Sequence, residues 1–129
     1  MWQKLGVKFY CTINGTEPVR DWIKGLRKED KRTIGEDIKT LQFGWPLGMP
    51  LVKNLGSRLW EIRSNLSDGK TARVIFFMAK NTIVLVNGFI KKTQKTPANE
   101  IELSKKRKAQ FELEEEKDKN RRSLCPINI

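Results

Sequence analysis

Histidine is absent from the 129 residues, and the two cysteines, Cys11 and Cys125, stand near opposite ends with no CxxC spacing. A Cys/His zinc site is thereby excluded, and a structural disulfide is not expected in a reducing compartment. We read both cysteines as plain thiols and expect neither metal nor cofactor. No apolar run approaches about 18 residues, and no signal-peptide pattern follows Met1, so a cytoplasmic protein without membrane contact is expected. Acidic residues are scarce in one place. Residues 51–97 hold nine Lys or Arg against two acids, Glu61 and Asp68, whereas residues 1–50 hold nine against six and residues 98–129 eight against seven.

That middle segment carries most of the chain's +11 net charge. A polyanionic or acidic partner accounts for such clustering better than general solubility does, because solubility would not concentrate the surplus in one segment. The segment is strand-like, unlike the basic amphipathic helices that lie on membranes. The length fits one domain, and four Trp, six Phe and several aliphatic runs supply one modest core.

Period-two alternation of Val7, Phe9 and Cys11 predicts a strand within residues 5–13, ended by Asn14-Gly15. Thr16 is placed to cap a helix opening with Glu17 and Pro18, in which Val19, Trp22, Ile23 and Leu26 form one stripe. A second helix over residues 28–42 carries Ile34, Ile38 and Leu41 and completes a helical hairpin, and the 45–50 loop, rich in turn formers, is apolar enough to pack on a sheet. Strands follow at 57–64, 72–78 and 82–90, with turns at Asp68-Gly69 and Lys80-Asn81, as an antiparallel meander. Thr96 and Pro97 read as N-cap and first-turn residue of a helix from Ala98. Beyond Glu114 the chain is charged and poorly patterned, so fraying is expected.

Alternation places Glu61 and Arg63 on one face of their strand, and Arg73 beside Ile75 and Phe77 on the next. A cation in an apolar strand needs a partner or a role. A salt bridge to Glu61 is one reading and a functional arginine the other, because two carboxylates cannot neutralise nine cations. The apolar run Ile83 to Val86 leads straight into Asn87-Gly88-Phe89 and then Lys91, Lys92 and Lys95. Gly88 permits close backbone approach, Phe89 offers a face for stacking a base, and the lysines can neutralise phosphates. A solvated lysine-rich loop has the same composition.

The strings Leu-Trp-Glu-Ile-Arg at 59–63, Ala-Arg-Val-Ile-Phe-Phe from 72, Val-Leu-Val-Asn-Gly-Phe-Ile-Lys-Lys-Thr-Gln-Lys-Thr-Pro from 84 and Glu-Ile at 100–101 resemble the phage-derived Gp49-like branch of the RelE/HigB toxin superfamily. The similarity covers roughly residues 55–110. It implies an α+β fold, RelE-like, with an N-terminal strand and helical hairpin packed on an antiparallel β-sheet and a C-terminal helix after it. On that basis residues 1–113 are the toxin domain and 114–129 a charged tail. It also implies the toxin of a type II toxin-antitoxin pair, one that enters the ribosome A site, cleaves mRNA there as a metal-independent endoribonuclease and is silenced by a cognate helix-turn-helix antitoxin. Arg73 and Arg63 match the arginines of the family's two strand motifs, and Lys91 and Lys92 fall on its Lys-Lys-Thr motif. Asn87 stands where many relatives carry His.

Cleavage of RNA through its own 2′-OH needs a proton acceptor, charge stabilisation at the phosphorane and a proton for the 5′-oxygen. Crowding among cations can draw a lysine toward neutrality while arginine stays charged. The expected assignment is Arg73 and Arg63 at the phosphorane, Lys91 or Lys92 in proton transfer and Asn87 orienting the phosphate. Phe89, Lys95, Lys53 and Arg58 are expected RNA contacts. Two alternatives remain: a ParE-like inhibitor of DNA gyrase, and a catalytically silent RNA-binding or repressor-assembly subunit.

Overall fold

The computed structural model describes residues 4–91 and 95–124, apart from the side chains of 120–124. The chain runs β1 (Gly6–Phe9), α1 (Pro18–Lys24), α2 (Lys28–Gly44), β2 (Val52–Gly56), β3 (Leu59–Asn65), β4 (Thr71–Ala79), β5 (Thr82–Lys91) and α3 (Ala98–Leu124). The fold is α+β, with one sheet in the order β1-β5-β4-β3-β2. Strands β2 to β5 pair antiparallel, and β1 joins β5 in parallel.

Alternating apolar residues on the central strands give the sheet two buried faces. One packs Ile62, Val74, Phe76, Ile83 and Leu85 against Val19 of α1 and Ile34 and Leu41 of α2. The other packs Leu59, Ile75, Phe77, Val84 and Val86 with Tyr10 against Ile101 and Phe111 of α3. The hairpin stripe read from Val19, Trp22, Ile23, Ile34, Ile38 and Leu41 therefore faces the sheet as predicted. So does the 45–50 loop, whose Trp45 meets Trp60 edge-on (centroids 5.0 Å apart) and Phe76 at 5.7 Å.

Three local expectations are corrected. The strand predicted over 57–64 begins at Leu59, and a separate strand β2 precedes it. Ser57 and Arg58 have φ of 55° and 61°, the left-handed turn that folds β2 back onto β3. Thr16 does not cap α1, because the N-cap position falls on Glu17 and the Thr16 amide donates to Thr12 Oγ1 instead (3.1 Å). Thr96 is not a cap either, because its hydroxyl is taken by Glu61. Helix α3 is continuous to Leu124. Phe111 anchors it edge-on against Phe77, and Lys108–Glu112 and Lys117–Glu114 pair along it at helical spacing.

Asp30 in the first turn of α2 is buried and accepts hydrogen bonds from the Ser67 amide (3.2 Å) and hydroxyl (3.1 Å), tying the β3–β4 turn to the helix. Asp30→Ala would strand both donors, and a loss of about 1–3 kcal/mol is expected in urea unfolding. An unchanged midpoint would mean that water replaces the carboxylate. Among the described residues no helix is long and apolar enough to cross a membrane.

Candidate functional site

Register across β3, β4 and β5 decides which polar side chains meet. Residues directly opposite each other in an antiparallel pair share a face. Arg63, Arg73 and Phe89 form one row, Lys53, Glu61, Ile75 and Asn87 the next, and Asn65, Thr71 and Lys91 the row at the strand ends. All lie on the face that α3 covers.

The Asn87 and Phe89 places depend on a bulge. Leu85 is opposite Phe76 and Asn87 is opposite Ile75, so Val86 is the extra residue in β5. Val86 and Asn87 therefore both turn toward α3. The Val86 carbonyl accepts from Arg107 (2.7 Å), and the Asn87 amide nitrogen donates to the Glu100 carbonyl and carboxylate, both at 3.3 Å. Partial burial holds the Arg107 guanidinium below its ordinary pKa, against the opposing pull of Tyr10 and Glu100. Unbroken alternation would have sent Asn87 and Phe89 to the α1 face. Gly88 takes that direction, and a Cβ there would sit 2.4 Å from the Trp22 ring. The close approach inferred for Gly88 is real, but its occupant is Trp22.

Glu61 is the hub of the site. It is completely buried, and its Oε1 lies 3.7 Å from Arg63 Nε and 3.9 Å from Arg73 Nη1. Its Oε2 accepts the Thr96 hydroxyl (2.5 Å), and the Thr96 oxygen in turn accepts from Arg73 (3.4 Å). Two guanidiniums share one carboxylate. The salt-bridge reading of Arg73 is thus met by Glu61.

Exposure divides the site residues. Arg73 is 1% exposed beneath Thr96 and does not reach the surface, whereas the Arg63 side chain is 14% exposed and opens into a groove. Lys91 is half-buried at the end of β5, and Lys95 is exposed. Phe89 packs partly against the α3-facing core, which leaves only part of its ring for a base. Lys53, on the edge strand opposite Glu61, stands beside the cluster. Arg58 does not: it is exposed in the β2–β3 turn, at the other end of β3 from Arg63. Lys92 lies outside the described residues.

Three participants were not legible in the sequence. Thr96 read as a helix cap, Glu100 entered only within the Glu-Ile string at 100–101, and nothing in the local pattern singled out Arg107. Their partners are 35, 13 and 21 residues away, beyond any local pattern. A groove of about 590 Å³ adjoins Arg63, with Thr33, Asp37, Met49, Leu51 and Thr71 in its walls.

A family model described as phage derived protein Gp49-like matches residues 21–109, which take in the second half of α1, α2, all of β2 to β5 and the first part of α3. No curated protein matches the chain.

Proposed function

The chain belongs to the phage-derived Gp49-like family of HigB/RelE-like toxins of toxin-antitoxin systems, and from that membership we propose that it cleaves mRNA at the ribosome A site and so arrests translation. The observation that carries this reading is the Arg63–Glu61–Arg73 cluster: two arginines of neighbouring strands gathered at one buried carboxylate, near the strand end where Lys91 and Lys95 also lie. Family membership implies an antitoxin partner. A helix-turn-helix antitoxin with an acidic segment fits this face by charge.

In this reading Arg63, the guanidinium that reaches solvent, binds the scissile phosphate and stabilises the phosphorane. Arg73 acts from beneath, holding Glu61 and Thr96 in place beside Arg63. The 2′-OH attacks phosphorus and a cyclic 2′,3′-phosphate forms. The 2′ proton passes to a base, with Lys91 or Lys92 as candidates, and the 5′-oxygen leaves with a proton. A ribosome holding the message in line supplies much of the acceleration by orientation.

On translating ribosomes, Arg63→Ala is expected to slow message cleavage about 100-fold and Lys91→Ala about 10-fold, near the loss seen when one charge-stabilising donor is removed. Intact message with wild type would sink the ribonuclease reading, and inhibition of gyrase supercoiling by the same preparation would replace it with the ParE-like one. The engagement of Asn87 by Glu100 favours a second reading, a silent RNA-binding subunit, because Asn87 stands at the position of the family's histidine and its amide is already committed. Ribosome binding without cleavage would select it.

A further inference from the structure

β2 leaves β3 at the level of Arg63, whose amide donates to the Leu51 carbonyl (2.8 Å); beyond that point β3 pairs on with β4 alone. The open edge is walled by α2 and the 49–51 segment, which leaves the groove of about 590 Å³. That volume is in the range of small-ligand sites, about 300–1,000 Å³. Three kinds of group meet in it. Around the open edge of β3 the groove brings Arg63, Asn65 and Thr71, from the α3 face of the sheet, to the apolar Met49 and Leu51 and to Asp37 with Thr33, one turn earlier on α2, from the other face.

A guanidinium for phosphate, an apolar wall for a ring and a carboxylate for a ring edge are the parts of a nucleotide site. The carboxylate selects the base. Ionised Asp only accepts hydrogen bonds, at two oxygens side by side. On the Watson–Crick edge of an unstacked base, guanine alone presents two adjacent donors, N1–H and the N2 amino group. Adenine and cytosine set an amino donor beside a ring-nitrogen acceptor, and uracil sets its one donor between two acceptors. Each of these three would place a lone pair against a carboxylate oxygen.

We propose that Asp37 is the specificity-determining residue of the RNA site, and that the groove takes a guanine of single-stranded RNA whose phosphate is held by Arg63. This rests on the ribonuclease reading for its substrate, but binding tests it separately. The probes are the RNA trimers UGU, UAU, UCU and UUU and free guanosine monophosphate, titrated into the full chain and followed by NMR at Thr33, Asp37 and Arg63. UGU is expected to bind at least 10-fold tighter than the other trimers, and tighter than the mononucleotide, which lacks a second phosphate for the lysines. Asp37→Asn should abolish the preference, and Asp37→Glu, which keeps the carboxylate, should retain it, with both variants melting as wild type. Equal binding of the four trimers overturns the inference, as does a preference that survives in Asp37→Asn. Mononucleotide binding as tight as UGU overturns it too, in favour of a free-nucleotide site. Guanine-selective binding without message cleavage overturns the ribonuclease reading alone. Cleavage by wild type with equal binding of all four trimers overturns this inference alone.

Discussion

Glu61→Ala is expected to lower the unfolding free energy by about 3–5 kcal/mol, the largest effect of any single polar substitution considered for this chain. The reason is asymmetric. An exposed ion pair contributes about 0–1 kcal/mol, because water replaces the lost partner. Glu61 has no exposed surface and lies between Arg63 and Arg73. Its removal leaves two guanidiniums close together with their shared counter-charge gone, and Arg73 cannot turn to solvent from beneath Thr96. Glu61→Gln separates charge from hydrogen bonding: it keeps an acceptor for the Thr96 hydroxyl and loses the anion. If charge dominates, Gln should cost nearly as much as Ala in urea unfolding. A Gln variant as stable as wild type would show that the carboxylate serves the Thr96 contact alone, and not as a counter-charge to the two arginines.

Gly88→Ala is expected to cost about 3 kcal/mol, at the upper end of what overpacking does. The added methyl would meet Trp22 Cε3 at 2.4 Å and Cζ3 at 2.6 Å, and an indole wedged between α1 and the sheet has little room to retreat. The residue sits beside the bulge that aims Asn87 at Glu100, so relief by shifting β5 would also pull Asn87 and Phe89 out of line with Arg73. A double-mutant cycle isolates the cause. In a Trp22→Leu background the same Gly→Ala change should cost under about 1 kcal/mol, a coupling within the range found for residues in contact. An equal cost in both backgrounds would mean that the strand itself, and not the indole, refuses the methyl.

Much of the fold was legible because its signals are local. The Val19 to Leu41 stripe, the alternation of β3 and β4 and the Asp68-Gly69 turn each repeat within a few residues. A local period therefore announces them. The face shared by Glu61 and Arg63 within β3 was read the same way, whereas the β3–β4 register put Arg73 beside them. Where a local pattern was ambiguous, reading failed: Ser57-Arg58 looked like the start of a strand because only the left-handed backbone at these two residues distinguishes a hairpin turn from its continuation. Past Glu114, where hydrophobic patterning is poor, α3 carries an ion pair at helical spacing, Lys117–Glu114.

The candidate site divides along the same line. By itself the sequence determined which residue types were available: no histidine, a cation-rich middle segment, an arginine set among apolar neighbours and a polar exit from a central strand. Those are properties of composition and of period two, and they need no partner to be read. Only the tertiary structure decided how they are deployed. A one-residue bulge at Val86 brings Asn87 and Phe89 to the face of Arg73, and a threonine 35 residues from Glu61 in sequence closes over the cluster. The departure of β2 at Leu51 opens a groove beside Arg63 while Arg73 stays covered. Each of these is a contact between distant segments, set by sheet register and helix packing, and the order of residues along one strand carries no trace of it.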